Sequence, residues 1–331
     1  MPDVITHALG AMEAIDRIDH SMTELIKKNT NAYRLGAQGP DFFFYYRVLP
    51  GQDSGNAPRH GSLLHRDHPY AFLLALLDYT KIKRKSKDFP ILLSYSLGFL
   101  THYAFDQTMH PFIYAHSGVA KDDQPDTQIY HFYHKMYEIA CDTYLLQEKK
   151  KMIAGRFRSS QWIDLRDDFP RAIPKMLDAC INSVHGIKWE TEDYQEALES
   201  MPKILDILYD PYRIKRYGLV ALELFLRKKR AFTQALYLHR VPEDPSFFNF
   251  DHQPWFHPTD HTLIYTDSFM DRYDQCVDKA ESFLNVALGY IEGSKTKVDL
   301  YAIIGDVAYD TGIPWKENQS MDYTRCVFET L

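Results

Sequence analysis

Gly98-Phe99-Leu100-Thr101-His102-Tyr103-Ala104-Phe105-Asp106-Gln107-Thr108-Met109-His110-Pro111 follows an apolar run, Ile91 to Leu97, and reads as the second half of a buried helix. His102, Asp106 and His110 are spaced i, i+4 and i+8. At roughly 100° per residue they drift only about 40° per step, so all three project from one stripe of the helix. Two imidazoles flanking a carboxylate on one helical face form a metal-ligand arrangement. A buried Asp without a cation or donors is costly, which weighs against a merely apolar packing role. Pro111 is expected to end the helix.

A second ligand-bearing face lies on the stretch Asp126 to Lys151, which contains no Gly or Pro. It places His134 and Glu138 four residues apart, with His131 on the same side. Inward-facing His and Glu at helical spacing are how bundle helices build metal sites. Ile129, Phe132, Tyr133, Met136, Tyr137 and Ile139 leave this helix little purely solvent-facing arc. Asp142 reads as a surface charge, with an outer role holding a histidine N–H as the alternative.

Upstream, residues 4–28 read as one helix, with Thr6 as its cap and His7 in its first turn. Gly36-Ala37-Gln38-Gly39-Pro40-Asp41 is a tight turn that delivers an Asp, and the aromatic stretch Phe42 to Tyr46 packs it against the core. A loop over residues 50–61 leads to a helix over 62–83. His65 is the preferred ligand from this region; His60 is second and His68, before Pro69, third. The central helix spans roughly 88–110.

The 331 residues suffice for one large domain or two ordinary ones. An apolar fraction of 45% and an aromatic fraction of 14% fit a core-forming globular chain. The net charge of −7 gives no nucleic-acid footprint, so no stable nucleic-acid partner is expected. Of 15 histidines, ten fall in the first 134 residues, which points to the N-terminal half. The four cysteines are widely spaced with no C-x-x-C, which argues against a thiolate zinc site and a disulfide scaffold. No signal peptide and no run long enough to span a membrane is visible, so the expectation is a cytoplasmic protein.

Beyond Lys151 the chain reads as a charged helical region to about residue 238, with Arg227-Lys228-Lys229-Arg230 as a basic helix end. Next comes a Pro- and aromatic-rich segment carrying His252, His257 and His261. It reads as an extended strap or lid over 240–265, anchored by Trp255 and Phe256, rather than as a second metal site. A long amphipathic helix over 267–293 follows; the tail, 297–331, is ambiguous. No strand is convincing. The chain therefore reads as all-α: a metal-binding catalytic core over 1–150 and a helical extension over 151–331 packed on it.

In order, His7, the Gly-Pro-Asp41 turn, His65, His102-x-x-x-Asp106-x-x-x-His110 and His134-x-x-x-Glu138 resemble the zinc-dependent phospholipase C family. More distantly they resemble the zinc-dependent single-strand nucleases. The resemblance covers about residues 1–150, and its most specific part is the His-x-x-x-Asp plus His-x-x-x-Glu pair. It implies a multi-helix bundle with two or three zinc ions. Asp41, His65, His102 and Asp106 would hold one, and His110, His134 and Glu138 a second. A third would take His7 and the N-terminal amine, with Asp106 bridging. Secreted members of the family begin with a Trp whose amine binds metal; here removal of Met1 would leave Pro2 in that role.

Hard oxygen and imidazole ligands without thiolates suit zinc in a hydrolytic role. The implied reaction is phosphoester hydrolysis on a small-molecule or lipid substrate, with Asp106 bridging and Asp41 as a ligand and base. Two other readings share the residues: a nucleotidase or nuclease on the same scaffold, and a non-catalytic, metal-stabilised helical binding protein.

Overall fold

The computed structural model describes residues 4–121, 123–165, 169–225, 233–317, 319–322 and 324–329. Helix α1 (Val4–Asp16) is followed by α2 (Thr23–Lys28) and α3 (Thr30–Gly36), then a 3₁₀ turn over Gly39–Tyr45. Next come α4 (Ala57–Arg66), α5 (Pro69–Ile82), α6 (Phe89–Ser117) and α7 (Ile129–Lys150). The second half holds α8 (Ala172–His185), α9 (Thr191–Leu208), α10 (Ile214–Phe225), α11 (Phe269–Glu292) and α12 (Lys297–Ile304). The fold is mostly helical, as expected. Among the described residues the exception is one small hairpin, β1 (Trp255–His257) and β2 (Asp260–Tyr265).

Helix α6 is the axis of the molecule. Every residue from Leu92 to Ile113 is buried, which matches a helix apolar on all sides. It is enclosed by α1, α3, α5, α7, α8 and α11. The contact with α3 is backbone on backbone. A Cβ at Gly36 would stand 2.1 Å from the Tyr95 carbonyl oxygen, and one at Gly98 2.0 Å from that of Tyr33. Helix α11 lies along both α6 and α1, so residues far beyond 150 build the wall around the central helix.

Several sequence expectations need correction. Residues 4–28 form two helices, broken between Asp16 and Thr23. Thr6 does not cap but sits inside α1, buried. The helix expected over 62–83 is two helices. Asp67 is extended, His68 takes a left-handed φ of 49°, and Pro69 starts α5 with its fixed φ. Pro111 does not end α6, which continues to Ser117. Proline removes the N–H that would bond the Gln107 carbonyl. That carbonyl instead abuts Gly312, where a side chain would come within 2.3 Å. Burial of Phe112, Ile113 and Ala115 sustains the last turns.

The strap over 240–265 contains the hairpin, with Trp255 opposite Tyr265 and Phe256 opposite Ile264. Trp255 is buried and anchors it, stacking edge-on to Phe112; Phe256 is exposed and does not. The Arg227–Arg230 basic run and Pro2 lie outside the described residues. Among the described residues no helix is long and apolar enough to cross a membrane.

Candidate metal centre

Local sequence places the core of the site. His102, Asp106 and His110 lie on α6, one turn apart, each almost fully buried. His102 Nε2 is 3.0 Å from Asp106 Oδ2, and His110 Nδ1 is 3.7 Å from the same oxygen. On α7, His134 Nε2 is 2.9 Å from Glu138 Oε1, again one turn apart.

Tertiary packing adds the rest. Helix α1 brings His7 Nε2 to 3.3 Å from Asp106 Oδ1. The 3₁₀ turn, started by Pro40, brings Asp41, whose Oδ1 is 3.3 Å from His65 Nε2. Helix α4 turns His65 inward with Ala57, Gly61 and Leu64; its Nε2 is also 3.7 Å from Asp106 Oδ2. His65, not His60 or His68, thus faces the cluster. His60 packs on Trp189, and His68 pairs with Asp67 and packs on Trp315.

Among the described residues, ligand atoms fall into three groups that could each hold an ion: His7, His102 and Asp106; Asp41, His65 and His102; His110, His134 and Glu138. All eight residues singled out in the sequence are present. Within each group the atoms lie within 4.8 Å of one another.

Three histidines are held by their far nitrogens. His65 Nδ1 is 2.7 Å from the Gly61 carbonyl oxygen, His102 Nδ1 is 3.2 Å from that of Ala37, and His110 Nδ1 is 3.2 Å from that of Tyr309. A carbonyl accepts only, so each Nδ1 carries the proton and each Nε2 keeps its lone pair. That is the outer-shell arrangement of metal-ligating histidines. Both oxygens of Asp106, Asp41 Oδ1, both ring nitrogens of His7 and Nε2 of His102 and His110 are buried without a hydrogen bond. Buried polar atoms left so are costly unless a cation meets them, so this donor set fits bound metal.

The electrostatics agree. Burial works against charge on Asp106, yet His102 and His110 hold its carboxyl well below the usual range. Burial lowers His7 and pushes His134 far down. It takes His110 to about 4. The cluster thus offers an ionised Asp106 carboxylate and, at His7, His110 and His134, neutral imidazoles, the forms that bind metal. For His65, burial is outweighed by Asp41 and Asp106, which raise its pKa; a cation would compete with a proton for that nitrogen.

A cavity of about 510 Å³ opens onto His65, His110, His134 and Glu138. Phe44, Tyr45, Met201, Leu205 and Leu208 supply its apolar wall.

Three features were not read from the sequence correctly. Asp142 is fully buried, not a surface charge: it accepts the backbone N–H groups of Ile5 and Thr6 at 2.9 and 2.8 Å. Asp310, in the segment read as an ambiguous tail, is buried 3.9 Å from His110 and bonded to Arg66 at 2.6 Å. Tyr309, also from that tail, packs its ring on His65 and His102. Asp142 continues the His134, Glu138 spacing by one more turn, which was the available signal, whereas no periodicity links Tyr309 and Asp310 to the site.

The zinc dependent phospholipase C family model matches residues 4–187. The chain belongs to that family. This phospholipase C-like chain is therefore a metal-dependent phosphoric ester hydrolase of helical fold, and the match extends past the first 150 residues. No curated protein and no solved structure matches it.

Proposed function

We propose that the chain is a zinc-dependent phosphodiester hydrolase whose two or three ions are held by His7, Asp41, His65, His102, Asp106, His110, His134 and Glu138. The observation that carries this is Asp106: fully buried and within 3.7 Å of ring nitrogens from His7, His65, His102 and His110. Zinc bound there supplies Lewis acidity to a water and to the phosphoryl oxygens.

The chain's own residues do the rest. Asp106 belongs to the group with His7 and His102, and its Oδ2 lies 3.7 Å from His65 Nε2 of the neighbouring group, the position from which it would bridge. Asp41, at the cavity edge, accepts a proton from the attacking water and orients it. The backbone carbonyls of Gly61, Ala37 and Tyr309 hold three imidazoles in register, so ligand geometry is set before substrate arrives. The open cavity supports turnover over a closed, purely structural site. Its apolar wall supports a substrate with an apolar part, such as a lipid phosphoester.

Elemental mass spectrometry on tag-free protein tests the reading, together with hydrolysis of a lipid phosphodiester and a mononucleotide side by side. Two or three zinc per chain and chelator-sensitive diester cleavage, restored by zinc, are expected. Metal-free protein that stays inactive after zinc reconstitution overturns it. Preference for the mononucleotide replaces the lipid substrate with a nucleotide.

A further inference from the structure

A second cavity, of about 400 Å³, adjoins the first. The two share Arg66 and Asp310 as a common wall. Arg66 Nε donates to Asp310 Oδ2 at 2.6 Å, and Asp310 Oδ1 stands 3.9 Å from His110 Nδ1, so this wall abuts the metal ligands.

The two cavities differ in chemistry. The first carries Phe44, Tyr45, Met201, Leu205 and Leu208; none of these lines the second. The second is lined by Lys121, Asp123, Gln124, Thr311, Gln319 and Ser320. Its formal charges offset: Arg66 and Lys121 against Asp123 and Asp310. Two of these are already engaged with each other, and Lys121 pairs with Asp322. No aromatic side chain is among its described lining residues.

We infer that this second cavity is the subsite for the polar half of the phosphoester, and that it takes a neutral, hydroxyl-rich alcohol such as glycerol or inositol. The Gln124 amide both donates and accepts, which matches an alcohol's hydroxyl groups, while Thr311, Gln319 and Ser320 bond to one another or to Pro314, Glu317 and Asp322 and hold the wall in place. A quaternary ammonium makes no hydrogen bonds and is held by aromatic faces, which this cavity lacks. The phosphate then lies at the cluster between the two cavities, with the apolar half along Met201, Leu205 and Leu208. The lining from Ala308 to Met321 lies outside the family-matched span, whereas Arg66, Lys121, Asp123 and Gln124 lie inside it. The inference rests on the phosphoester reading above.

The test is calorimetric binding of glycerol phosphate, inositol phosphate and phosphocholine to the zinc-loaded full chain, with turnover of the matching short-chain diacyl esters measured in parallel. The two polyol phosphates are expected to bind at least tenfold tighter than phosphocholine. Gln124→Trp, which fills the cavity from an exposed position, should abolish that preference and leave phosphocholine binding within twofold. Gln124→Ala should weaken polyol binding severalfold, with zinc content and Tm unchanged in both variants. Equal or tighter binding of phosphocholine, or a polyol preference that survives Gln124→Trp, overturns the subsite. Selective polyol phosphate binding without turnover of any ester leaves the subsite standing and overturns the hydrolase reading.

Discussion

Gly39 faces the imidazole of His102 so closely that a methyl group on its Cα would lie 2.0 Å from His102 Cδ2. Gly39 also has a φ of +54°, where a side chain is strained. Both constraints fall two residues before Asp41. Gly39→Ala therefore pushes on His102 and the Asp41 turn together. The expected cost is about 1–3 kcal/mol from overpacking, with left-handed strain in addition. Thermal melts should show this loss, and zinc content should fall below the wild-type value.

Asp142 ties α7 to the first turn of α1. Its Oδ2 takes the Ile5 N–H and the Tyr237 hydroxyl, and its Oδ1 takes the Thr6 N–H. These amides have no partner inside the helix, and a carboxylate also suits a helix N-terminus. Asp142→Ala should cost about 1–3 kcal/mol by stranding buried donors. His7 follows Thr6 directly, so the variant should also bind zinc more weakly in chelator competition. Unchanged zinc affinity would show that α1 is held by its other contacts.

Asp106→Asn removes the charge that four imidazoles surround. Asn is close in shape, so the fold should persist while zinc and activity are lost together, with residual hydrolysis below about 1% of wild type on the scale of losing a metal ligand. His252→Ala is the contrasting variant. His252 is exposed and lies 3.0 Å from the Thr266 carbonyl oxygen, away from the cluster. It should keep full zinc. Loss of one equivalent from His252→Ala would reinstate a metal role for the hairpin segment.

His116 gives a pH dependence separate from the ligands. It is buried against Phe112, Tyr137 and Trp255, its Nδ1 2.7 Å from the Phe112 carbonyl oxygen. Burial lowers its pKa to about 4. The unfolded chain takes up a proton near pH 6.5, whereas the folded one resists until about pH 4. Stability from this group is thus complete above pH 6.5 and is lost as pH falls through that window, by up to about 3 kcal/mol. Denaturant titrations from pH 7 to 4 on His116→Phe should show a shallower acid loss than wild type. Identical slopes would assign the acid sensitivity elsewhere.

How much of this was legible in the sequence depends on distance along the chain. Helix α6, its all-round burial and the pairing of His102, Asp106 and His110 follow from the helical repeat alone, as does His134 with Glu138. The repeat does not by itself choose His65 over His60 and His68. It failed at Pro111, because a missing N–H ends a helix only where nothing else compensates. Here buried neighbours do, and Gly312 seats itself on the freed carbonyl.

Local spacing in the chain was therefore enough for the helical class and for the grouping of His102, Asp106 and His110 and of His134 with Glu138, since these rest on residues three or four apart. Tertiary structure alone decided what surrounds them. Asp142 meets Thr6 across 136 residues, Tyr309 holds His110 across 199, and Asp310 meets Arg66 across 244. A carboxylate or carbonyl carries no mark in the sequence of the donor it will meet. Those pairings are fixed only when apolar burial packs α7 against α1 and the C-terminal segment against α6 and α4, where an unpaired buried donor is costly.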